Sequence, residues 1–273
     1  MTRISVVTGA NQGLGFALAA GLAHRADPTD VVYLTGRDGG RVADAAARVD
    51  HPSVRARALD VGDGHAVAAF ADDLRDRHGG VDVVFSNAAA RLTPGTPWND
   101  QIVPFVATNN LGTTRVLRAL TPLLRPGGAF LVVASSFGTP HHLPPHLHGH
   151  FDTRDLDGVD AAVLAWRDAV LDGTAPALGW PDWINIPSKV GQVAAVRAVA
   201  ARRRDADTAA GTLIAAVCPG LVDTDASRPW FADMSGAAPP ARAAGPLLDL
   251  ALGARRVEHY GELVRSGRVV RWS

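Results

Sequence analysis

The chain has 273 residues, 47% of them hydrophobic and 20% charged, and its formal net charge is zero. That is globular composition with apolar residues enough for a sizeable core, and the absence of long basic or apolar runs argues against a nucleic-acid surface or a membrane span. The one cysteine, Cys218, excludes an internal disulfide and suits a reducing cytosol, so a cytoplasmic setting is expected.

Met1 to Val7 enters a strand pattern at once, and no signal peptide is expected. The β-branched run Ile4–Thr8 leads into Gly9-Ala10-Asn11-Gln12-Gly13-Leu14-Gly15, followed by an apolar helical pattern. Strand, glycine-rich turn and helix together present backbone N–H groups to a pyrophosphate; a glycine-rich connection with no ligand is the competing reading. The second strand, Val31–Thr35, runs into Gly36-Arg37-Asp38. An acidic residue ending that strand would bind the ribose 2′-OH of NAD, whereas an arginine accommodates the 2′-phosphate of NADP. Gly36 and Arg37 therefore favour NADP(H), with Asp38 free to cap the next helix; Arg37 as an ordinary surface charge is the alternative.

The alternation continues with a strand at Val54–Leu59 ending in Asp60-Val61, a helix over about 64–77, and an apolar strand, Val81–Phe85, leading to Ser86-Asn87-Ala88-Ala89. One long helix is expected over about 99–123, containing Asn109, then a strand at Ala129–Ala134 ending in Ser135-Ser136. Strands alternating with helices make a parallel sheet covered on both faces, with ligands beyond the strand C-termini, where Asp60, Asn87 and Ser135 fall.

From about 138 to 184 the rhythm stops. Five of the ten histidines lie within 141–150, but no spacing orients them as metal ligands, so no metal is expected and the insertion reads as a lid over a site. Asn185-Ile186-Pro187-Ser188-Lys189 then opens a helix to about Arg204. Lys189 is the one lysine among 27 Lys and Arg residues, which suggests a task that needs a compact ammonium. Pro187 fits only the first helical turn, which makes Asn185 the expected N-cap. A strand at Thr212–Val217, the turn Cys218-Pro219-Gly220-Leu221-Val222-Asp223-Thr224, a flexible Ala/Pro/Gly-rich cover at 226–245, a helix near 246–254 and a strand at Gly261–Val264 complete the expectation. The result is one doubly wound α/β domain over 1–273 with a mainly parallel seven-stranded sheet.

In that order Thr8-Gly9-x-x-x-Gly13-x-Gly15, Asp60, Asn87-Ala88, Asn109, Ser135, Lys189 and Pro219-Gly220-x-Val222-x-Thr224 resemble the short-chain dehydrogenase/reductase family over essentially the full length. The insertion before Lys189 and the ending Gly261-Glu262-Leu263-Val264 are similar to its monomeric carbonyl reductase branch, in which such an insert covers the usual dimer face. The resemblance implies a small-molecule substrate, a Rossmann-type fold and a monomer. It also implies that Gly9, Asn11, Gln12, Gly13, Leu14 and Gly15 surround the cofactor phosphates and ribose. Arg37 would hold the 2′-phosphate and Asp60 and Val61 the adenine. Asn87, Ala88, Pro219, Gly220, Val222 and Thr224 would line the cofactor, Lys189 would bind the nicotinamide ribose, and Asn109 would support a water chain to it. Ser135, chosen over Ser136 by its distance from Gly138, would polarise a carbonyl.

Three positions depart from the resemblance: Ser86 stands where the family usually has Asn, Ala89 stands where it usually has Gly, and the third bears on catalysis. The family's acid is a tyrosine one helical turn before the lysine, and here that residue is Asn185. An amide does not exchange protons near neutral pH as a phenol of lowered pKa can. Three functions stay open: an NADPH reductase of a C=O, C=N or activated C=C bond without that acid; a non-redox cyclase, isomerase or dehydratase with a structural cofactor and a Ser135–Asn185 oxyanion pair; or a silent NADP-binding protein.

Overall fold

In the computed structural model, which describes residues 2–272, each short apolar run becomes a strand and each longer amphipathic run a helix. The strands are β1 (Ile4–Val7), β2 (Val31–Gly36), β3 (Val54–Ala58), β4 (Val81–Ser86), β5 (Leu124–Val133), β6 (Leu213–Cys218), β7 (Leu263–Arg265) and β8 (Arg268–Val270). They form one sheet in the order β3-β2-β1-β4-β5-β6-β7-β8. All neighbours are parallel except β7 and β8, which pair antiparallel through Val264 and Val269. The sheet therefore has eight strands rather than the expected seven; the three-residue β8 is too short to announce itself by alternation.

The helices are α1 (Gly13–Ala23), α2 (Gly39–Val49), α3 (Gly64–His78), α4 (Trp98–Val106), α5 (Gly112–Leu120), α6 (Leu156–Leu171), α7 (Asn185–Ala209) and α8 (Pro240–Leu252). One face of the sheet buries Leu18, Leu22, Val42, Leu247 and Leu248 of α1, α2 and α8. The other buries Phe70, Phe105, Leu117 and Val196 of α3, α4, α5 and α7, with Val163 and Trp166 of α6 in the same core. At about 25 cal/mol per Å² of apolar surface, these two layers supply most of the drive to fold.

Three helix expectations need correction. The single helix foreseen over 99–123 is α4 and α5 joined by a π-helical turn, Ala107–Leu111, which inserts an extra residue and rotates Asn109. The helix foreseen near 246 begins at Pro240, so the latter part of the supposed flexible cover is the first turn of α8. Asn185 is the first residue of α7, not its N-cap; Ile184 is already helical at φ −60°, ψ −15°, and no side chain caps the end.

Strand order reverses direction between β1 and β4, the switch point where open α/β sheets leave a crevice at the strand C-termini. The turns after β1, β4, β5 and β6 all converge there.

Candidate active site

At the end of β1 the hydroxyl of Thr8 accepts the backbone N–H groups of Asn87 (2.9 Å) and Ala88 (3.0 Å), fastening the β4 turn to the glycine-rich turn. The Asn87 amide donates in return to the carbonyls of Thr8 (3.0 Å) and Gly9 (3.1 Å). Gly9 has φ +62°, and a Cβ there would lie 2.6 Å from Ala88 Cα. A Cβ on Gly15 would lie 2.3 Å from the Gly9 carbonyl oxygen, so the start of α1 can approach the turn only as glycine. No side chain caps α1 and its first turn holds no acid, which leaves the positive end of the helix open to an anion.

The β2–α2 side is basic. Arg37 is exposed, and Asp38 caps α2 by accepting Arg41 N–H at 3.0 Å. Arg41 donates to Gln12 Oε1 (2.8 Å) and Arg48 to the Asn11 carbonyl (3.0 Å), so both guanidinium groups border the glycine turn. Sequence reading missed this pair, although their seven-residue spacing on one helix face was a usable signal. Asp60 Oδ1 accepts Gly62 N–H at 2.8 Å, and Val61 packs closely on Gly112.

At the other end, the π turn aims the Asn109 side chain at Ala90 N–H (2.8 Å) and its carbonyl at Thr113 Oγ1 (2.7 Å) and Gln192 Nε2 (2.8 Å). The Gln192 amide oxygen accepts from Lys189 Nζ at 2.7 Å, and Nζ also reaches the Val133 carbonyl at 3.3 Å. The span from Lys189 to the Asn109 carbonyl, foreseen as a water chain, is bridged by one glutamine side chain. Burial pushes the Lys189 ammonium down to about 8, with the neighbouring Cys218 working the other way. Ser188 and Asn110 exchange hydrogen bonds (both 2.9 Å), locking α7 to the π turn.

Ser135 Oγ accepts Phe137 N–H at 3.3 Å, and Ser136 N–H donates to Cys218 Sγ at 3.1 Å. Both serines line one cavity of about 820 Å³, with Gly9, Asn11, Gln12, Gly13, Leu14, Gly15, Asn87, Asn109, Asn185, Lys189, Gly220, Val222 and Thr224. Ala88 and Pro219 lie between lining residues in sequence but are not in the wall themselves, and Arg37, Asp60 and Val61 are outside this cavity's lining. Thr224 Cγ2 lies 3.3 Å from where a Cβ on Gly13 would be, so the segment after β6 closes over the glycine turn. The lining also carries five aromatic residues, the buried Phe105 and the partly buried Phe137, Trp183, Trp230 and Phe231, none of which sequence reading singled out. Trp183 Nε1 is buried with no hydrogen-bond partner among the described residues.

No tyrosine is in the wall. Tyr33 Oη pairs with His78 Nε2 at 2.9 Å, and burial pushes its phenol up. Tyr260 Oη donates to Asp207 at 2.7 Å; burial and that carboxylate push it well above the usual tyrosine range. The 141–150 histidines peg the insertion: His142, His146 and His148 bond the carbonyls of Ser136, Leu178 and Leu143. Among the described residues no group of three or more His, Cys, Asp or Glu could hold a metal ion.

Residues 3–143 match the family described as short chain dehydrogenase. Carbonyl reductase (NADPH) 1 of Sus scrofa is 31% identical over 279 residues, covering 99% of this chain and 94% of that protein. Carbonyl reductase (NADPH) 3 of Mus musculus is also 31% identical, covering 99% of each. Among solved structures, salutaridine reductase from Papaver somniferum superposes with a TM-score of 0.77 at 21% identity, over 96% of this chain and 99% of that one. Menthone neomenthol reductase from Mentha piperita gives 0.76 at 21% identity, over 98% and 100%. At that identity the two structures speak to the fold.

Proposed function

The chain belongs to the short chain dehydrogenase family, and from that membership we propose that it is an NADPH-dependent reductase of a C=O, C=N or activated C=C bond in a small organic molecule. The observation that carries this reading is the single cavity that joins the glycine turn to Ser135, Asn185, Lys189 and an apolar aromatic wall. A mostly apolar pocket of that volume with few convergent polar groups is built for a small ligand.

The residues present fit the cofactor. The open N-terminus of α1 and the close-packed turn through Gly9, Gly13 and Gly15 suit a pyrophosphate, with Asn11, Gln12 and Leu14 beside it. In this reading Arg37, with Arg41 bonded to Gln12 beside it, would meet the 2′-phosphate, and Asp60 and Val61 the adenine. Asn87, Ala88, Pro219, Gly220, Val222 and Thr224 flank the nicotinamide half. When bound, NADPH supplies the hydride. In this reading Lys189 grips the nicotinamide ribose, and Gln192, anchored on Asn109, holds the ammonium in place.

Ser135, whose own O–H has no acceptor among the described residues, donates to the substrate heteroatom. Asn185 takes the position of the family's acid and offers an amide that can hold, but not protonate, that atom. The relatives' name and the residue set favour a redox role over a structural cofactor.

The test is to incubate the protein with NADPH and panels of ketones, quinones and imines, following cofactor absorbance and product mass together. NADPH loss that depends on substrate is the expected result; a silent panel with intact cofactor binding would overturn the reading. Asn185→Tyr, which restores a phenol one turn from Lys189, should raise ketone reduction by about 100-fold.

A further inference from the structure

We propose that the substrate carries a carboxylate, which the cavity seats on Arg265, with Arg268 beside it on the β7–β8 hairpin, while the reducible bond lies at Ser135. This names a substrate class for the reductase proposed above and rests on that reading; the carboxylate seat is argued from the charges of the wall.

Six charged residues line the cavity, Arg91, Lys189, Arg228 and Arg265 against Asp223 and Asp225. Both carboxylates are taken. Asp223 accepts Arg228 at 2.7 Å, and Asp225 lies 3.3 Å from Arg228 and 3.5 Å from Arg91. Two positive charges are left over. The Lys189 ammonium meets only the neutral oxygens of Gln192 and Val133, and the Arg265 guanidinium has no partner among the described residues. A cavity lined by an excess of one sign concentrates ligands of the other.

Arg265 is also set against a like charge. β7 turns into β8 through Ser266 and Gly267, both at positive φ (+49° and +72°), as a tight two-residue hairpin requires. That register puts Arg268 directly opposite Arg265. Opposed residues share one face of a sheet, and like charges there repel. An anion between the two guanidinium groups removes the repulsion, and the planar fork of an arginine matches a carboxylate with two parallel hydrogen bonds.

The cofactor does not use this charge. Its phosphates belong at the glycine turn after β1, and β7 lies four strands away, about 19 Å at the usual strand spacing. The reduced nicotinamide ring itself is neutral. Ser135 follows β5, which is only two strands from β7, about 10 Å. Arg265 stands beside Cys218 in the β6–β7 register, and Cys218 Sγ accepts Ser136 N–H at 3.1 Å. The seat and the reacting position therefore share one edge of the sheet, a bicyclic ring's length apart, with Phe137 and Trp183 in the same lining to cover an apolar body.

The experiment uses the full chain loaded with NADPH. Calorimetry compares 2-naphthoate with 2-naphthamide, which match in shape, differ in charge and accept no hydride. Naphthoate should bind at least about tenfold more tightly, with a margin that shrinks as salt is raised. Arg265→Gln should bring it to within about twofold of naphthamide, Arg265→Lys should keep part of the margin, and Arg268→Gln should cost about threefold. An NADPH affinity within about twofold of wild type in these variants separates loss of the seat from loss of the fold. Equal binding of the two probes, or a naphthoate margin that survives Arg265→Gln, would overturn the proposal.

Turnover is read with 6-acetyl-2-naphthoate and 6-acetyl-2-naphthamide. The carbonyl carbon takes a hydride from NADPH and its oxygen a proton from water, leaving the alcohol and NADP⁺. The acid should have the higher kcat/KM by about tenfold, carried by KM, and Arg265→Gln should erase the difference. Equal kcat/KM for the two ketones would overturn the substrate class. Arg265-dependent naphthoate binding without NADPH consumption by either ketone, or by any quinone or imine, would remove the reductase reading and leave the carboxylate seat standing.

Discussion

Burial holds the Lys189 ammonium at about 8, against about 10.5 for a free lysine. Between those values the unfolded chain binds more protons than the folded one, so stability rises with pH across about pH 8–10.5. The full window is worth up to about 3 kcal/mol. Lys189→Met should remove that slope, leave the cofactor-free protein more stable than wild type at pH 7 by chemical denaturation, and weaken NADPH binding at least about tenfold. Gln192→Leu tests the bridge: the Asn109 carbonyl and Lys189 each lose a partner, at about 1–3 kcal/mol for a buried group left unpaired. The expected readout is a several-fold rise in the KM for NADPH, together with a shifted alkaline limb in its pH profile. Lys189 was legible because it is the one lysine of the chain. Gln192 was not, because a glutamine on a helix is ordinarily a solvated residue, and its partner here lies 83 positions away in sequence.

At the scale of elements, α6 and α7 meet at Gly191, where a Cβ would lie 2.8 Å from Val163 Cγ1 and 2.9 Å from Asn110 Nδ2. Gly191→Ala should therefore cost about 1–3 kcal/mol by denaturant titration, as over-packing does in a closed core. Because Asn110 also locks Ser188, the same variant should loosen Lys189 and raise the KM for NADPH. The parallel βα succession was readable from period and apolar runs, since each strand from β1 to β6 is bounded by a turn and a longer amphipathic segment. The π turn was not, because one extra residue in a helix changes neither composition nor hydrophobic spacing enough to show. The start of α8 carried a signal that was misjudged: Pro240 in the first turn marks a helix beginning, and the surrounding Ala, Pro and Gly residues disguised it as a loop. The aromatic wall draws residues from α4 and from three separate loops, and nothing in their local sequence says that Phe137, Trp183 and Trp230 meet.

For the molecule as a whole, α6 of the insertion buries Trp166 and Val163 in the core shared with α4 and α7. A helix face covered from within the chain is not free for a second copy, so the protein is expected to behave as a monomer. Light scattering after size exclusion should give 28.5 kDa at all concentrations tested. The two margins of the sheet bear on the same expectation. Its outermost strands are β3 and β8, each offering one row of unpaired backbone groups to solvent. β3 carries Arg55 and Arg57 along that margin, and β8 begins at Arg268 and is followed by Arg271. Like charges brought together would oppose the docking of one molecule's margin on another's. The arginine-rich composition thus guards against growth of the sheet from molecule to molecule, a hazard of crowding and storage that the interior of the fold cannot address.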